Sequence, residues 1–134
     1  MPGDRFFDTN ILIYAFAEDD PRGAKAEELI AGGGVIGVQV LNEFTNVARR
    51  KLRWQWGEIE AAIKAIEELL GAARPLTTPI HRHAVTLARD HDLSFYDSLI
   101  VAAAIDAGCR ILNTEDLQHG RKFGTLTVEN PFRD

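Results

Sequence analysis

Residues 5–16 read R-F-F-D-T-N-I-L-I-Y-A-F, and this stretch decides the fold. Its aromatic start is followed by Asp8-Thr9-Asn10, three residues that favour helix N-caps, and then by an uninterrupted apolar run. This order predicts a strand, a turn and a helix. A strand that leads directly into a helix is the building unit of a parallel sheet.

The same alternation continues along the chain. Further strands are predicted at residues 35–38, 74–78, 110–113 and 126–129. Helices are predicted at residues 24–31, 39–52, 58–70, 80–90 and 95–107, with a short one opening at 114–117. We therefore expect an α/β fold, a parallel β-sheet flanked by helices on both faces, as a single domain over residues 1–134.

The composition narrows the class of protein. Cys109 is the single cysteine and has no partner for an intrachain disulfide, which fits a reducing compartment. No apolar stretch approaches the roughly 18 residues of a membrane-spanning helix, and the N-terminus lacks the apolar core of a signal peptide. We expect a soluble, cytoplasmic protein with no membrane partner.

The formal net charge of −5 argues against a domain that holds nucleic acid by its overall field. An acidic total can nevertheless contain an acidic site. Carboxylates that converge on divalent cations are neutralised locally, and the bound cations can meet a phosphate. The charge lowers the expectation of a polyanionic substrate without removing it.

Two acids follow predicted strands directly. Asp8 comes after the first strand, and Asp116 lies in the turn after the strand that ends at Asn113. Ligands of parallel α/β sheets gather outside the carboxyl ends of the strands, which is where both acids are expected. Each acid alone has a structural alternative, because carboxylates also favour the first turns of helices.

Two further acids lie on predicted helices. Asp97 is in the first turn of the most apolar helix and is expected to be half-buried, so that a cation or a hydrogen-bond donor must face it. A salt bridge to an arginine is the structural alternative. Glu43 lies on the helix after the second strand and shares a face with Gln39 and Val47. Four carboxylates at one end of the sheet predict a site for a hard cation such as Mg²⁺ or Mn²⁺.

Four stretches resemble, in order along the chain, the acidic motifs of the PIN-domain ribonucleases, particularly the VapC-type toxins of toxin–antitoxin pairs. They are F-F-D-T-N-I-L-I-Y, Q-V-L-N-E-F, L-S-F-Y-D-S-L-I-V-A-A-A and I-L-N-T-E-D-L-Q-H-G. The resemblance covers essentially the whole chain and implies a single PIN-like nuclease domain. It implies an acidic quartet with two polar neighbours: Asp8, Glu43, Asp97 and Asp116, with Asn10 and Thr114.

One acid remains open at this point. Glu115 is adjacent to Asp116, and the sequence does not decide which of the two faces the metal site. We favour Asp116 because Glu115 can instead complement the dipole of the short predicted helix.

The resemblance also implies an activity and partners. The activity is metal-dependent hydrolysis of single-stranded RNA, with Mg²⁺ or Mn²⁺ as cofactor. Two ions bridged by a carboxylate can activate a water and stabilise both the phosphate and the leaving group, and we assign Asp8 as the bridging ligand. The implied partners are a second copy of the chain in a homodimer and a cognate antitoxin, a peptide of which occupies a groove and blocks the site.

A basic and aromatic segment, R-R-K-L-R-W-Q-W at residues 49–56, has two interpretations. It could grip single-stranded nucleic acid by phosphate contact and base stacking. Alternatively, the cations complement a helix C-terminus and the tryptophans pack at a protein interface, and we favour this second interpretation. The histidines fall in polar contexts and are expected at the surface: His81, His83, His91 and His119. Of these, His119 is the one to test for proximity to substrate.

Two other functions are compatible with a fold of this class. A phosphoacceptor receiver domain requires an acidic pair after the first strand and a lysine near the last ones. Asp8 has no acidic neighbour, and the predicted strands 110–113 and 126–129 contain no lysine. A non-catalytic binding module is the other possibility, and the intact quartet counts against it. Metal-dependent RNA cleavage, labelling by a small phosphodonor, or neither, would separate the three.

Overall fold

The structure is a computed structural model that describes residues 2–133. A single 3-10 turn (Pro2–Asp4) precedes strand β1 (Arg5–Phe7), and after Asp8 the chain enters helix α1 (Thr9–Phe16), as the sequence predicts. The remaining elements are α2 (Gly23–Ala31), α3 (Val38–Arg50), α4 (Trp56–Leu70), α5 (Thr78–His91), α6 (Phe95–Asp106), β2 (Ile111–Asn113), β3 (Lys122–Phe123) and β4 (Leu126–Glu129). No helix within residues 2–133 is long and apolar enough to cross a membrane.

The sheet has the strand order β1-β2-β4-β3. Strands β1, β2 and β4 are parallel, and β3 pairs antiparallel with β4 at one edge. The predicted α/β class with a parallel sheet is therefore confirmed. The antiparallel edge strand was not predicted, because a two-residue strand is too short to show an alternating pattern.

Three predicted elements were wrong in extent or type. Residues 35–38 and 74–78 do not form strands, and only single parallel bridges join Val35 to Phe6 and Gly37 to Arg74. Helix α3 already begins at residue 38. Pro79 lies in the first turn of α5, where proline favours a helix, so the chain is helical from residue 78 and not extended. Residues 114–117 do not form a helix, and residues 115–117 are bends, because the Thr114 hydroxyl accepts the Asp116 N–H at 3.0 Å and holds a local turn.

Both faces of the sheet are covered. Phe6 and Phe7 are consecutive residues of β1, so their side chains point to opposite faces, and both are fully buried. Helix α6 is buried over the seven consecutive residues 98–104, as its apolar sequence predicts. Asp97 lies immediately before this buried stretch and is itself half-buried. The fold thus brings a carboxylate to the margin of the core.

Gly34 illustrates how tightly the chain packs on β1. A Cβ atom at Gly34 would overlap the ring of Phe7, which is fully buried and has no room to move. We expect Gly34→Ala to lower the free energy of unfolding by about 1–3 kcal/mol, the usual range for overpacking. Urea denaturation measures this loss.

Gly57→Ala is the matched control. Gly57 lies in the first turn of α4, and a Cβ atom there would meet nothing within 4 Å. The same substitution should leave the stability unchanged or raise it by up to about 1 kcal/mol, because alanine favours helix. Equal stabilities of the two variants would contradict the packing argument.

Candidate functional site

Asp8 occupies the junction between β1 and α1. It is the N-cap of α1, and its Oδ1 accepts the Thr9 N–H at 2.7 Å. The other oxygen, Oδ2, accepts the Thr114 hydroxyl at 2.7 Å, and the backbone N–H donates to the Asn113 carbonyl. Asp8 is only 4% exposed. The carboxylate is therefore a helix cap and, at the same time, a buried group at the carboxyl end of the parallel strands.

The surroundings of Asp8 disfavour its charge. Burial raises the pKa of this carboxyl from 3.8 to about 7, against the opposing effect of hydrogen bonds from Thr114 and Thr9. The negative charges of Asp116 and Glu43 raise the pKa of Asp8 further. No lysine, arginine or histidine within residues 2–133 forms an ion pair with Asp8, Glu43, Asp97 or Asp116. The cluster lacks an internal counter-charge within the part of the chain that the structure describes.

Thr114 and Asn10 join Asp8 to Asp116. The Thr114 hydroxyl, which donates to Asp8, lies 3.3 Å from the Asn10 side-chain nitrogen, and that nitrogen donates to Asp116 Oδ2 at 3.2 Å. The Asn10 side-chain oxygen is buried and has no hydrogen-bond donor among residues 2–133. Asp116 is exposed, and burial of part of its side chain followed by the charge of Asp97 raises its pKa.

The Glu43 carboxylate accepts two side-chain hydrogen bonds, one from α1 and one from its own helix. The Thr9 hydroxyl donates to Oε1 at 3.0 Å, and the Gln39 amide donates to Oε2 at 3.1 Å. Gln39 is buried and lies one helical turn before Glu43 on α3. The i, i+4 spacing signalled Gln39 in the sequence, whereas nothing in the sequence signalled that the Thr9 hydroxyl turns toward α3.

Asp97 reaches the cluster from α6. Ser94 caps this helix by accepting the Asp97 N–H at 3.2 Å, which fixes the first turn. Asp97 lies close enough to Asp116 for its charge to raise the pKa of that carboxyl. The alternative salt bridge from Asp97 to an arginine is absent from residues 2–133. The structure thus places the four acids and the two polar neighbours at one end of the sheet.

The profile of the PIN domain matches residues 5–122 of this chain, which include all four acids. The chain belongs to the PIN-domain family. This membership confirms the family resemblance of the acidic motifs and disfavours the receiver-domain alternative. A comparison with curated proteins found no significant match.

Solved structures share this PIN-domain fold. A toxin–antitoxin complex from Klebsiella pneumoniae has a TM-score of 0.74 at 19% identity, covering 97% of this chain and 99% of that one. VapC20 of Mycobacterium tuberculosis, a sarcin–ricin loop cleaving toxin, has a TM-score of 0.68 at 21% identity, covering 81% and 86%. VapBC2 from Rickettsia felis, bound to a DNA fragment from its promoter, has a TM-score of 0.67 at 19% identity, covering 94% and 97%. At these identities the likeness concerns the fold.

Glu115 is engaged elsewhere in this PIN domain. It accepts the Tyr14 hydroxyl and lies 3.5 Å from the Arg22 guanidinium. Arg22 also binds both carboxylate oxygens of Asp20 at 2.9 Å and lies over the Tyr14 ring. Burial, followed by the contact with Glu115, raises the pKa of Tyr14 to about 12. Glu115 thus belongs to a structural network. The expected interaction of Glu115 with a helix dipole is wrong, because residues 114–117 form no helix, and the choice of Asp116 as a ligand stays a prediction.

The histidines lie mostly where the sequence placed them. His81, His83 and His119 are exposed, and His91 is half-buried against the Phe123 ring. The His119 ring accepts the Asn130 N–H at 3.1 Å, so it tethers the segment after β4. This contact gives His119 a structural role.

Two cavities flank Glu43 along α3. The larger, about 470 Å³, lies between α1 and α3 and contains Asn10, Asp116 and Lys51 in its lining. The smaller, about 360 Å³, is lined by Gln39, Asn42, Glu43, Asn46 and Tyr96. Asn46 and Glu43 line both cavities, and Asp116 lines the larger one, so two of the four acids face this pair of cavities.

Proposed function

We propose that this chain is an endoribonuclease that hydrolyses phosphodiester bonds of single-stranded RNA with Mg²⁺ or Mn²⁺, and that it is the toxin of a type II toxin–antitoxin pair. The observation that carries the proposal is the burial of Asp8 beside other carboxylates with no counter-cation among residues 2–133. Such a group is costly to ionise unless a cation binds. Membership of the PIN-domain family and the fold shared with VapC20, a sarcin–ricin loop cleaving toxin, support the same assignment.

The donor set fits a hard cation. Carboxylate oxygens are the ligands that Mg²⁺ and Mn²⁺ prefer, and the orphaned oxygen of Asn10 adds another buried acceptor. Within residues 2–133, no three His, Cys, Asp or Glu side chains yet converge on one point. Asp97 is half-buried and Asp116 is exposed, so these are the two acids of the quartet with the most freedom to adjust when an ion binds.

The residues of the chain have distinct roles in this proposal. Bound divalent ions supply an activated water and neutralise charge on the phosphate. Asp8, fixed by Thr9 and Thr114, would hold the ions together with Glu43, Asp97 and Asp116. Asn10 orients Asp116, and Gln39 orients Glu43. Lys51 is the cation in the lining of the larger cavity and is suited to an RNA phosphate.

Purified protein should cleave single-stranded RNA when Mg²⁺ or Mn²⁺ is added and should lose this activity in EDTA, because an oxygen-ligand site has no other means of generating hydroxide near neutral pH. By the family resemblance, the products should carry 5′-phosphate and 3′-hydroxyl ends. Labelled oligonucleotides resolved on gels report both properties. Cleavage undiminished by EDTA, or 2′,3′-cyclic phosphate ends, would reject the metal mechanism, and no cleavage of any RNA would favour a binding module.

The tryptophans of the basic and aromatic segment differ in their surroundings. Trp54 packs edge-on against Phe44 with 6.0 Å between ring centroids, whereas Trp56 is 55% exposed beneath the Arg49 guanidinium. We expect Trp54→Ala to cost about 3 kcal/mol of stability, since it truncates a partly buried aromatic residue. Trp56→Ala should leave stability within about 0.5 kcal/mol.

The same pair of variants tests the proposed partners, a homodimer and an antitoxin. If Trp56 lies at an interface, Trp56→Ala should shift the oligomer in size-exclusion chromatography or weaken capture of the antitoxin. Unchanged assembly combined with weaker RNA binding would assign Trp56 to base stacking instead. The solved complexes from Klebsiella pneumoniae and Rickettsia felis support an antitoxin partner on this fold.

A further inference from the structure

The smaller cavity beside Glu43 contains an exposed aromatic ring. Tyr96 is 63% exposed and directly precedes Asp97 on α6. Its ring meets the Phe95 ring edge-on at 5.9 Å, and Phe95 in turn contacts the His81 ring at 5.3 Å. The capped first turn of α6 therefore presents this tyrosine from a fixed backbone, next to one of the acids.

The other groups in this cavity are mainly neutral amides. The Asn42 amide donates to Gln39 at 3.4 Å, and its own oxygen accepts no hydrogen bond from residues 2–133. The Asn46 side chain makes no hydrogen bond within that range. Two amides with unused donors and acceptors can therefore face a ligand in the cavity.

The charge of the cavity selects the kind of ligand. Its lining contains no lysine or arginine, so it offers no side-chain cation for a phosphate. A planar, neutral group with hydrogen-bonding edges fits the combination of an exposed ring and free amides. Single-stranded RNA offers such groups, since its unstacked bases stack on aromatic side chains and pair with polar ones.

We propose that this cavity binds the nucleobase of a nucleotide adjacent to the scissile phosphate, with the base stacked on Tyr96 and its edge hydrogen-bonded by Asn42 and Asn46. The inference rests on the proposed ribonuclease function and adds a base subsite to it. It assigns Tyr96 a role in substrate binding and cleavage-site choice.

Two substitutions of Tyr96 distinguish the contribution of ring stacking to RNA binding from that of side-chain size. Tyr96→Phe keeps the ring, and Tyr96→Leu keeps an apolar side chain without it. Binding of a single-stranded RNA 10-mer is measured by fluorescence anisotropy in an Asp8→Asn background, so that the RNA is not consumed. Tyr96→Leu should weaken binding about 10-fold, whereas Tyr96→Phe should stay within about 2-fold, as expected for loss of one base–aromatic stack.

An abasic scan identifies the base. Each nucleotide of the 10-mer is replaced in turn by an abasic one. At a single position, removal of the base should weaken binding to the Tyr96 protein and cause a clearly smaller loss with Tyr96→Leu, where only the hydrogen bonds of Asn42 and Asn46 remain to be lost. The same comparison is repeated as kcat/KM with Asp8 intact, so the result does not depend on the inactive background.

The possible outcomes test the base subsite and the proposed ribonuclease function separately. RNA cleavage with additive losses at every position would overturn the base subsite and leave the ribonuclease standing. A change of oligomeric state in Tyr96→Leu, with unchanged RNA binding, would assign the ring to a protein contact and also overturn it. A protein that neither binds nor cleaves RNA would reject both proposals.

Discussion

Asp8→Asn should reduce RNA cleavage to background and, in EDTA, make the protein more stable than the wild type at neutral and alkaline pH. The pKa of Asp8 is raised from 3.8 to about 7, mainly by burial. The folded protein therefore holds a proton that the unfolded chain releases between these values. The stabilising contribution of protonated Asp8 is complete below about 3.8 and is lost as the pH rises through about 7.

The expected effect of Asp8→Asn is large because Asp8 is fully buried. The interval from 3.8 to about 7 corresponds to roughly 4 kcal/mol once Asp8 is ionised. An asparagine keeps an oxygen for the Thr9 N–H. The Thr114 oxygen already accepts the Asn10 amide and the Asp116 N–H, so the new amide N–H is left unpaired there, which offsets about 1–3 kcal/mol of the gain. The variant therefore keeps only the remainder of that stabilisation.

Urea denaturation in EDTA from pH 4 to pH 8 measures the effect as the difference between the variant and the wild type. This difference should grow in favour of the variant as the pH rises. Asp106→Asn, on the exposed end of α6, is the control and should follow the wild type at every pH. If the difference in free energy of unfolding between Asp8→Asn and the wild type stays constant from pH 4 to pH 8, the pKa of Asp8 is not raised in the folded protein.

The position of Asp8 could be predicted because local rules and the fold agree there. Residues 5–16 have one consistent interpretation as strand, cap and helix, and the parallel sheet then places the cap at its carboxyl end. The position of Glu43 could also be predicted, since its helix has a clear apolar face. The partner that fixes it from α1, Thr9, depends on a contact between two elements that no local pattern encodes.

The incorrect predictions concern short segments in which apolar residues do not repeat with the spacing of a strand or a helix. Residues 35–38 and 74–78 contain apolar residues, but the first segment makes only two isolated bridges and the second only one before each is followed by a helix. The turn at Thr114 formed because its hydroxyl binds both Asp8 and the Asp116 backbone, an arrangement that requires the two strands to be neighbours. The network of Glu115 with Tyr14 and Arg22 likewise joins residues far apart in sequence.

Asp97→Asn should abolish cleavage, leave the stability in EDTA unchanged or slightly higher, and weaken the response to metal. Asp97 has no ion pair within residues 2–133, and its charge raises the pKa of Asp116. Like charges near 4 Å repel by roughly 1 kcal/mol in water, so removing one relieves the cluster. In the wild type, Mn²⁺ at about 100 times its Kd should stabilise the folded state by roughly 2.7 kcal/mol.

A tenfold loss of metal affinity in Asp97→Asn would remove about 1.4 kcal/mol of that stabilisation, which appears as a smaller rise in Tm on adding Mn²⁺. Asp106→Asn changes the same residue type on the same helix away from the cluster and should respond to Mn²⁺ like the wild type. A hidden structural role would give the opposite pattern, because a lost partner destabilises the protein with or without metal. Thermal melts of the three proteins in EDTA and in Mn²⁺ decide between these patterns, and an Asp97→Asn protein markedly less stable in EDTA would exclude Asp97 from the metal site.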